Sequence, residues 1–152
     1  MKDIYNYFLL IRPLNVLVSG LAMIISAAIL DSLDQELLVI LVVLVVMAYT
    51  AGANSINDVL DLEIDKVNRP SRPIPSKNIR KKKALIFSFF LFLLGSVLSL
   101  QLPSNAYFIS IVVSMPLMVI YSTHLKSKPL IGNIAVSFII GLSFIFCGMA
   151  FG

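Results

Sequence analysis

Charged side chains are scarce in this sequence, 13% of its 152 residues against 59% hydrophobic ones. A chain so poor in charge is excluded both as a soluble globular domain and as any disordered class. Tryptophan is absent. Cysteine occurs once, as Cys147, so no internal disulfide can form, and within an apolar run its expected role is a small packing residue. No carboxylate side chain occurs after Asp65, and neither an internal repeat nor a low-complexity linker interrupts the chain.

What is present is a series of long apolar runs, at roughly 14–30, 37–56, 84–102, 105–121 and 130–152. Each is long enough to cross a bilayer core of about 30 Å. In lipid every backbone polar group must be paired internally, and runs of this length read as helices rather than barrel strands. The expected fold is all-α: a polytopic transmembrane helix bundle of about five spans, residues 1–152 forming a single domain. Ser26-Ala27-Ala28 resembles a signal-cleavage site, but the apolar run before it exceeds a typical signal core, so the first span is expected to be retained.

The few charges set the orientation. Lys2 and Arg12 precede the first span, a basic group lies between Lys66 and Lys83, and Lys126 and Lys128 follow the fourth span. The alternate connections hold only Asp31, Asp34 and Glu36, or no charge around Gln101 to Asn105. This positive-inside pattern places the N-terminus and the 57–83 and 122–129 loops in the cytoplasm, in a multi-pass cell-membrane protein. The net charge of +4 then reflects topology and attraction to anionic lipid heads, not nucleic-acid binding. Tyr5, Tyr7 and Phe8 suit the headgroup boundary.

Where the second span meets water, Asn54, Asp58, Asp61 and Asp65 recur at spacings of +4, +3 and +4. On a helix they share an arc of roughly 60°, with Glu63 on the other side. Like charges stacked this way repel by about 0.2–0.5 kcal/mol per pair, so a cation is expected among them. An all-oxygen cluster suits Mg²⁺, a hard ion usually completed by substrate phosphates. Asn68-Arg69-Pro70-Ser71-Arg72-Pro73 then brings fork-shaped donors for phosphate oxygens. Acids for a metal beside arginines for phosphate read as a diphosphate site. The blander reading is a solvated, mutually neutralising loop. An EF-hand is a poor fit, lacking the central glycine and the bidentate Glu.

Other positions carry weaker signals. Asn15, just inside the first span, either ties helices together or faces substrate. The small stretch Tyr49-Thr50-Ala51-Gly52-Ala53 is expected to leave room for a ligand beside the second span. Pro116 is expected to kink the fourth span. The basic run from Lys77 to Lys83 reads as a surface anchor, and His124 as an interfacial polar residue.

Asn57-Asp58-x-x-Asp61-x-x-x-Asp65, followed by Asn68-Arg69-Pro70-x-Arg72-Pro73-x-Pro75-Ser76, resembles the first aspartate-rich motif of the UbiA-type intramembrane prenyltransferases. Ile11-Arg12-Pro13-Leu14-Asn15 and Tyr121-Ser122-x-x-Leu125-Lys126-x-x-Pro129-x-x-Gly132-Asn133 add weaker matches. The resemblance implies Mg²⁺ held by Asp58, Asp61 and Asp65, with Asn54 beside them as catalytic residues. It implies substrate contacts from Asn15, Asn57, Asn68, Arg69, Arg72, Tyr121 and Lys126, the lysine on phosphate. The implied donor is an isoprenyl diphosphate. The opening motif and the Arg-Pro segment look most like the archaeal members, which join a geranylgeranyl group to geranylgeranylglyceryl phosphate in ether-lipid synthesis. Aromatic acceptors (a quinone precursor, chlorophyllide or haem) are the alternative, and a membrane protein that binds divalent cations without catalysis is a third.

The resemblance covers only the front half of such an enzyme. Family members carry about nine transmembrane helices and a second aspartate-rich motif in the back half. Residues 1–152 alone are therefore expected to be inactive, needing a second chain or the remaining half to complete the site.

Overall fold

The computed structural model describes residues 2–152; Met1 and the side chain of Lys2, one of the cations used above to set orientation, lie outside the described residues. The chain runs through α1 (Lys2–Leu10), α2 (Pro13–Ile29), α3 (Glu36–Leu60), α4 (Leu62–Asn68), α5 (Lys81–Ser99), α6 (Ser104–Leu125) and α7 (Pro129–Phe151). No strand occurs among the described residues. α3, α5, α6 and α7 are each long and apolar enough to cross a membrane, and α1 with α2 makes a fifth such span, bent by 54°.

α3 is the centre of the bundle, packed on α5 along one side and on α2 along the other, with α7 closing against α2 and α3. The face that α5 presents to α3 is thin. Ala84, Ser88, Phe92, Gly95 and Ser99 are its buried residues, at helical spacings of three and four. Gly95 lies under the Tyr49 ring, where a Cβ would come within 2.6 Å of ring carbons, so only glycine admits the tyrosine. The Tyr49 and Ser96 hydroxyls pair at 3.0 Å, and Ser88 donates to the Gly52 carbonyl at 2.8 Å. Within the small stretch, Tyr49 and Gly52 thus receive α5 and the Phe92 ring, while Thr50 borders open space. Space for a ligand lies on the other side of α3, beside Val46 and Thr50.

The bend between α1 and α2 has a local cause. Pro13 lacks an N–H and restricts the residue before it. Arg12 takes a left-handed conformation, φ 55° and ψ 73°. The N–H groups of Asn15 and Val16 turn onto the Arg12 carbonyl, which leaves the Ile11 carbonyl without its helical donor. The Asn54 side chain supplies one from α3, at 2.9 Å.

α6 accommodates Pro116 through a local change of helix type. A π-helical segment, Ile109–Ser114, precedes the proline and widens the helix where proline removes a donor and crowds the carbonyl four residues back. A second π segment, Tyr121–Leu125, ends the span, with the Lys126 N–H closing onto the Tyr121 carbonyl at 3.0 Å. Between α6 and α7 the chain turns tightly: a Cβ on Gly132 would lie 2.9 Å from the Leu125 carbonyl oxygen.

The orientation inferred from the charges is tested by cysteine labelling. Ser76, in the α4–α5 loop, and Ser104, at the start of α6, are both exposed, while the native Cys147 is buried. In a Cys147→Ala background, a membrane-impermeant maleimide added outside intact cells should label a cysteine at 104 and spare one at 76. Equal labelling of the two overturns the topology.

Candidate functional site

α3 ends at Leu60 because Asp61 steps out of the helical register, at φ −82° and ψ 6°. The break is brief, since the Asp65 N–H still bonds the Asp61 carbonyl at 2.8 Å. Asp58 and Asp65 consequently stay on one side, nearly buried, with side chains 3% and 7% exposed. Glu63 points away into solvent and pairs with Lys66 at 2.7 Å.

Among the described residues three cations meet these aspartates. Arg72 returns from the Arg-Pro loop and spans two of them, its Nη1 lying 3.0 Å from Asp58 Oδ1 and 2.7 Å from Asp65 Oδ2. Arg12, at the α1–α2 bend, donates from Nη2 to the same Asp58 oxygen at 2.5 Å. Lys126, past the last π turn of α6, pairs with Asp61. Four separate segments are thus tied together at one end of the bundle by ion pairs, each with at least one partly shielded partner.

The expected metal ligands Asp58, Asp61 and Asp65 are each turned toward a cation here. Among the described residues no three His, Cys, Asp or Glu side chains are grouped to hold one ion. The physical reason is charge neutralisation: stacked carboxylates in a shielded site each take the nearest guanidinium or ammonium. The donor set nevertheless fits a hard cation. Mg²⁺ is commonly bound through one or two carboxylates plus phosphate oxygens, and the Asn57 Oδ1 is buried with no hydrogen-bond partner. The Arg12 Nε is likewise buried and unpartnered, a donor left without an acceptor.

The other expected residues divide. Asn57, Arg72 and Lys126 lie at the cluster. The Asn54 side-chain N–H donates to the Ile11 carbonyl and so braces the bend that carries Arg12. Asn68 and Arg69 are exposed at the end of α4, and among the described residues Arg69 forms no ion pair. Tyr121 is half-buried in the π turn that positions Lys126. Asn15 is exposed on the wall of a cavity of about 420 Å³ between α2, α3, α6 and α7. Its lining is otherwise mostly apolar, with Val18, Met23, Val46 and Met118 among it. Thr50, on the same wall, stands eight residues before Asp58, about 12 Å along the α3 axis at 1.5 Å per residue.

Sequence reasoning gave Arg12 no role beyond topology and a motif. Its pairing with Asp58 spans 46 residues and depends on the α1–α2 bend. The available signal was a lone arginine directly before a proline at the mouth of a span.

Residues 15–152 match the sequence profile of the UbiA prenyltransferase family. A digeranylgeranylglyceryl phosphate synthase from Methanothrix thermoacetophila is 40% identical over 145 residues, covering 93% of this chain and 53% of that protein. The corresponding protein of Methanosphaera stadtmanae is 38% identical over 147 residues, covering 94% and 52%. A solved structure described as concerning digeranylgeranylglyceryl phosphate synthase in membranes superposes with a TM-score of 0.93 at 35% identity, over 100% of this chain and 55% of that one. The chain spans about half the length of the curated relatives it matches.

Proposed function

This chain belongs to the UbiA prenyltransferase family, and on that footing we propose that it supplies the diphosphate-binding half of an enzyme of archaeal ether-lipid synthesis. The reaction is transfer of a geranylgeranyl group from its diphosphate to geranylgeranylglyceryl phosphate. The observation that carries this reading is the joining of Asp58, Asp61 and Asp65 to Arg12, Arg72 and Lys126 at the bundle end, near a mostly apolar cavity.

The residues divide the task by charge. Asp58, Asp61, Asp65 and the Asn57 Oδ1 are the oxygens that would hold Mg²⁺, which when bound offsets negative charge on the departing diphosphate. Arg12, Arg72 and Lys126 bind the phosphate oxygens, exchanging their carboxylate partners for the ligand as it enters. Asp58 and Asp65, nearly shielded from water, make that exchange favourable only when phosphate brings its own charge. The allylic C–O bond breaks with its electron pair leaving on the diphosphate, and the acceptor hydroxyl oxygen bonds to the allylic carbon and releases its proton. Val18, Met23, Val46 and Met118 give the prenyl tail an apolar wall and keep water from the cationic carbon. Asn15 and Thr50 are among the polar groups on that wall.

The test is complementation. Membranes co-expressing residues 1–152 with the complementary half of the Methanothrix synthase should transfer labelled geranylgeranyl to geranylgeranylglyceryl phosphate when Mg²⁺ is supplied. Membranes with residues 1–152 alone should not. Failure of the pair, when the Methanothrix enzyme's own two halves are active under the same conditions, overturns the assignment.

A further inference from the structure

The basic run after the Arg-Pro loop is not an undifferentiated charge cluster. Lys77, Arg80 and Lys81 line a pocket of about 430 Å³ beside Lys66, and neither Asp58 nor Arg72 is part of its lining. Its floor includes Ile74 and Ile79, both 4% exposed and packed into a small core with Leu10, Val59 and Ala84. The cations therefore stand on a fixed base rather than on a loose loop. Lys66 is at the rim but already held by Glu63. Among the described residues, Lys77, Arg80 and Lys81 have no acidic partner.

Lys77 adds an independent observation. Its φ is 63°, in the left-handed region, although the position is not glycine. That conformation costs a lysine roughly 1 kcal/mol or more. The turn holding it is closed on both sides, by the Lys77 N–H on the Ile74 carbonyl at 3.0 Å and the Ile79 N–H on the Pro73 carbonyl at 2.9 Å. Lys77, in this strained turn, is thus a third cation on the wall of a pocket whose lining includes no acidic residue.

We propose that this pocket binds the phosphate headgroup of an anionic membrane lipid, separately from the diphosphate site. The chemistry follows from the lining: three cations for a phosphodiester, an apolar floor under the glycerol carbons, and a position at the start of α5, where that span leaves the membrane. The bound lipid would neutralise the run and fix the α4–α5 loop, and with it Arg72.

The test places the protein in nanodiscs of phosphatidylcholine with a minority of phosphatidylglycerol and counts retained lipids by native mass spectrometry. Wild type should retain phosphatidylglycerol preferentially. Lys77→Gln/Arg80→Gln/Lys81→Gln should lower that preference by roughly a hundredfold, at about fivefold per cation. Lys82→Gln/Lys83→Gln/Lys128→Gln, an equal charge loss outside the pocket, should leave it in place. Lys77→Gly separates binding from folding: with the strain relieved it should melt no lower than wild type, yet lose about fivefold in lipid preference. Millimolar inorganic phosphate should not displace the retained lipid. Unchanged preference in the pocket variants, equal loss in the outside variant, or displacement by inorganic phosphate each overturns the proposal.

Discussion

Asp58→Asn and Asp61→Asn should each lower geranylgeranyl transfer by at least about a hundredfold in the complemented assembly, while Glu63→Gln stays within a few-fold of wild type. The asymmetry rests on where the three carboxylates sit. Asp58 is held between Arg12 and Arg72, and Asp61 meets Lys126 from α6. Glu63, two residues past Asp61, faces solvent with a side chain 79% exposed and pairs with Lys66. Asparagine keeps the size of aspartate and one oxygen, but loses the charge that would hold Mg²⁺ against phosphate. The loss should fall on kcat more than on KM, because charge builds on the diphosphate as the allylic bond breaks. Raising the Mg²⁺ concentration should recover part of the activity of Asp61→Asn. Comparable losses at Glu63 and Asp61 would show that the cluster is not the reacting end of the bundle.

The sequence made the scaffold legible because lipid simplifies the code. A run such as Leu37–Ile56 has one solution in a membrane, a helix, and the observed α3 differs from it chiefly by extending to Leu60. The aspartate stripe was legible for a similar reason: period and polarity together put Asp58 and Asp65 on one side and Glu63 on the other. What remained hidden depends on which helices touch. The glycine and small residues around Gly52 signal a close approach, but not whether a ligand or another helix approaches. Ser88, Phe92 and Gly95 on α5 decide that, and only packing reveals it. The pairing of Arg12 with Asp58 was hidden likewise, because it needs the left-handed Arg12 and the Asn54 amide on Ile11. The π segments of α6 have no periodicity signal apart from Pro116.

Arg72→Gln should cost about 3–5 kcal/mol of stability, seen as earlier thermal aggregation in detergent, and should also abolish transfer. Among the described residues Arg72 is the one cation that touches two of the carboxylates, and all three side chains are largely shielded: 19% exposed for Arg72, 3% for Asp58 and 7% for Asp65. Without it Asp58 keeps Arg12, but Asp65 is left charged with no ion-pair partner among the described residues. An uncompensated charge in a shielded site, rather than the lost contact itself, is the larger part of the penalty. Arg72→Gln/Asp65→Asn removes that charge and should recover most of the stability. On the proposed assignment it should recover none of the activity, because it restores neither the guanidinium assigned to phosphate nor the carboxylate assigned to the metal. Arg72→Lys keeps the charge on a shorter, differently shaped head and should fall between, with stability closer to wild type than activity. If the double variant regained transfer together with stability, Arg72 would serve only to neutralise Asp65, and its place among the phosphate-binding groups would be lost.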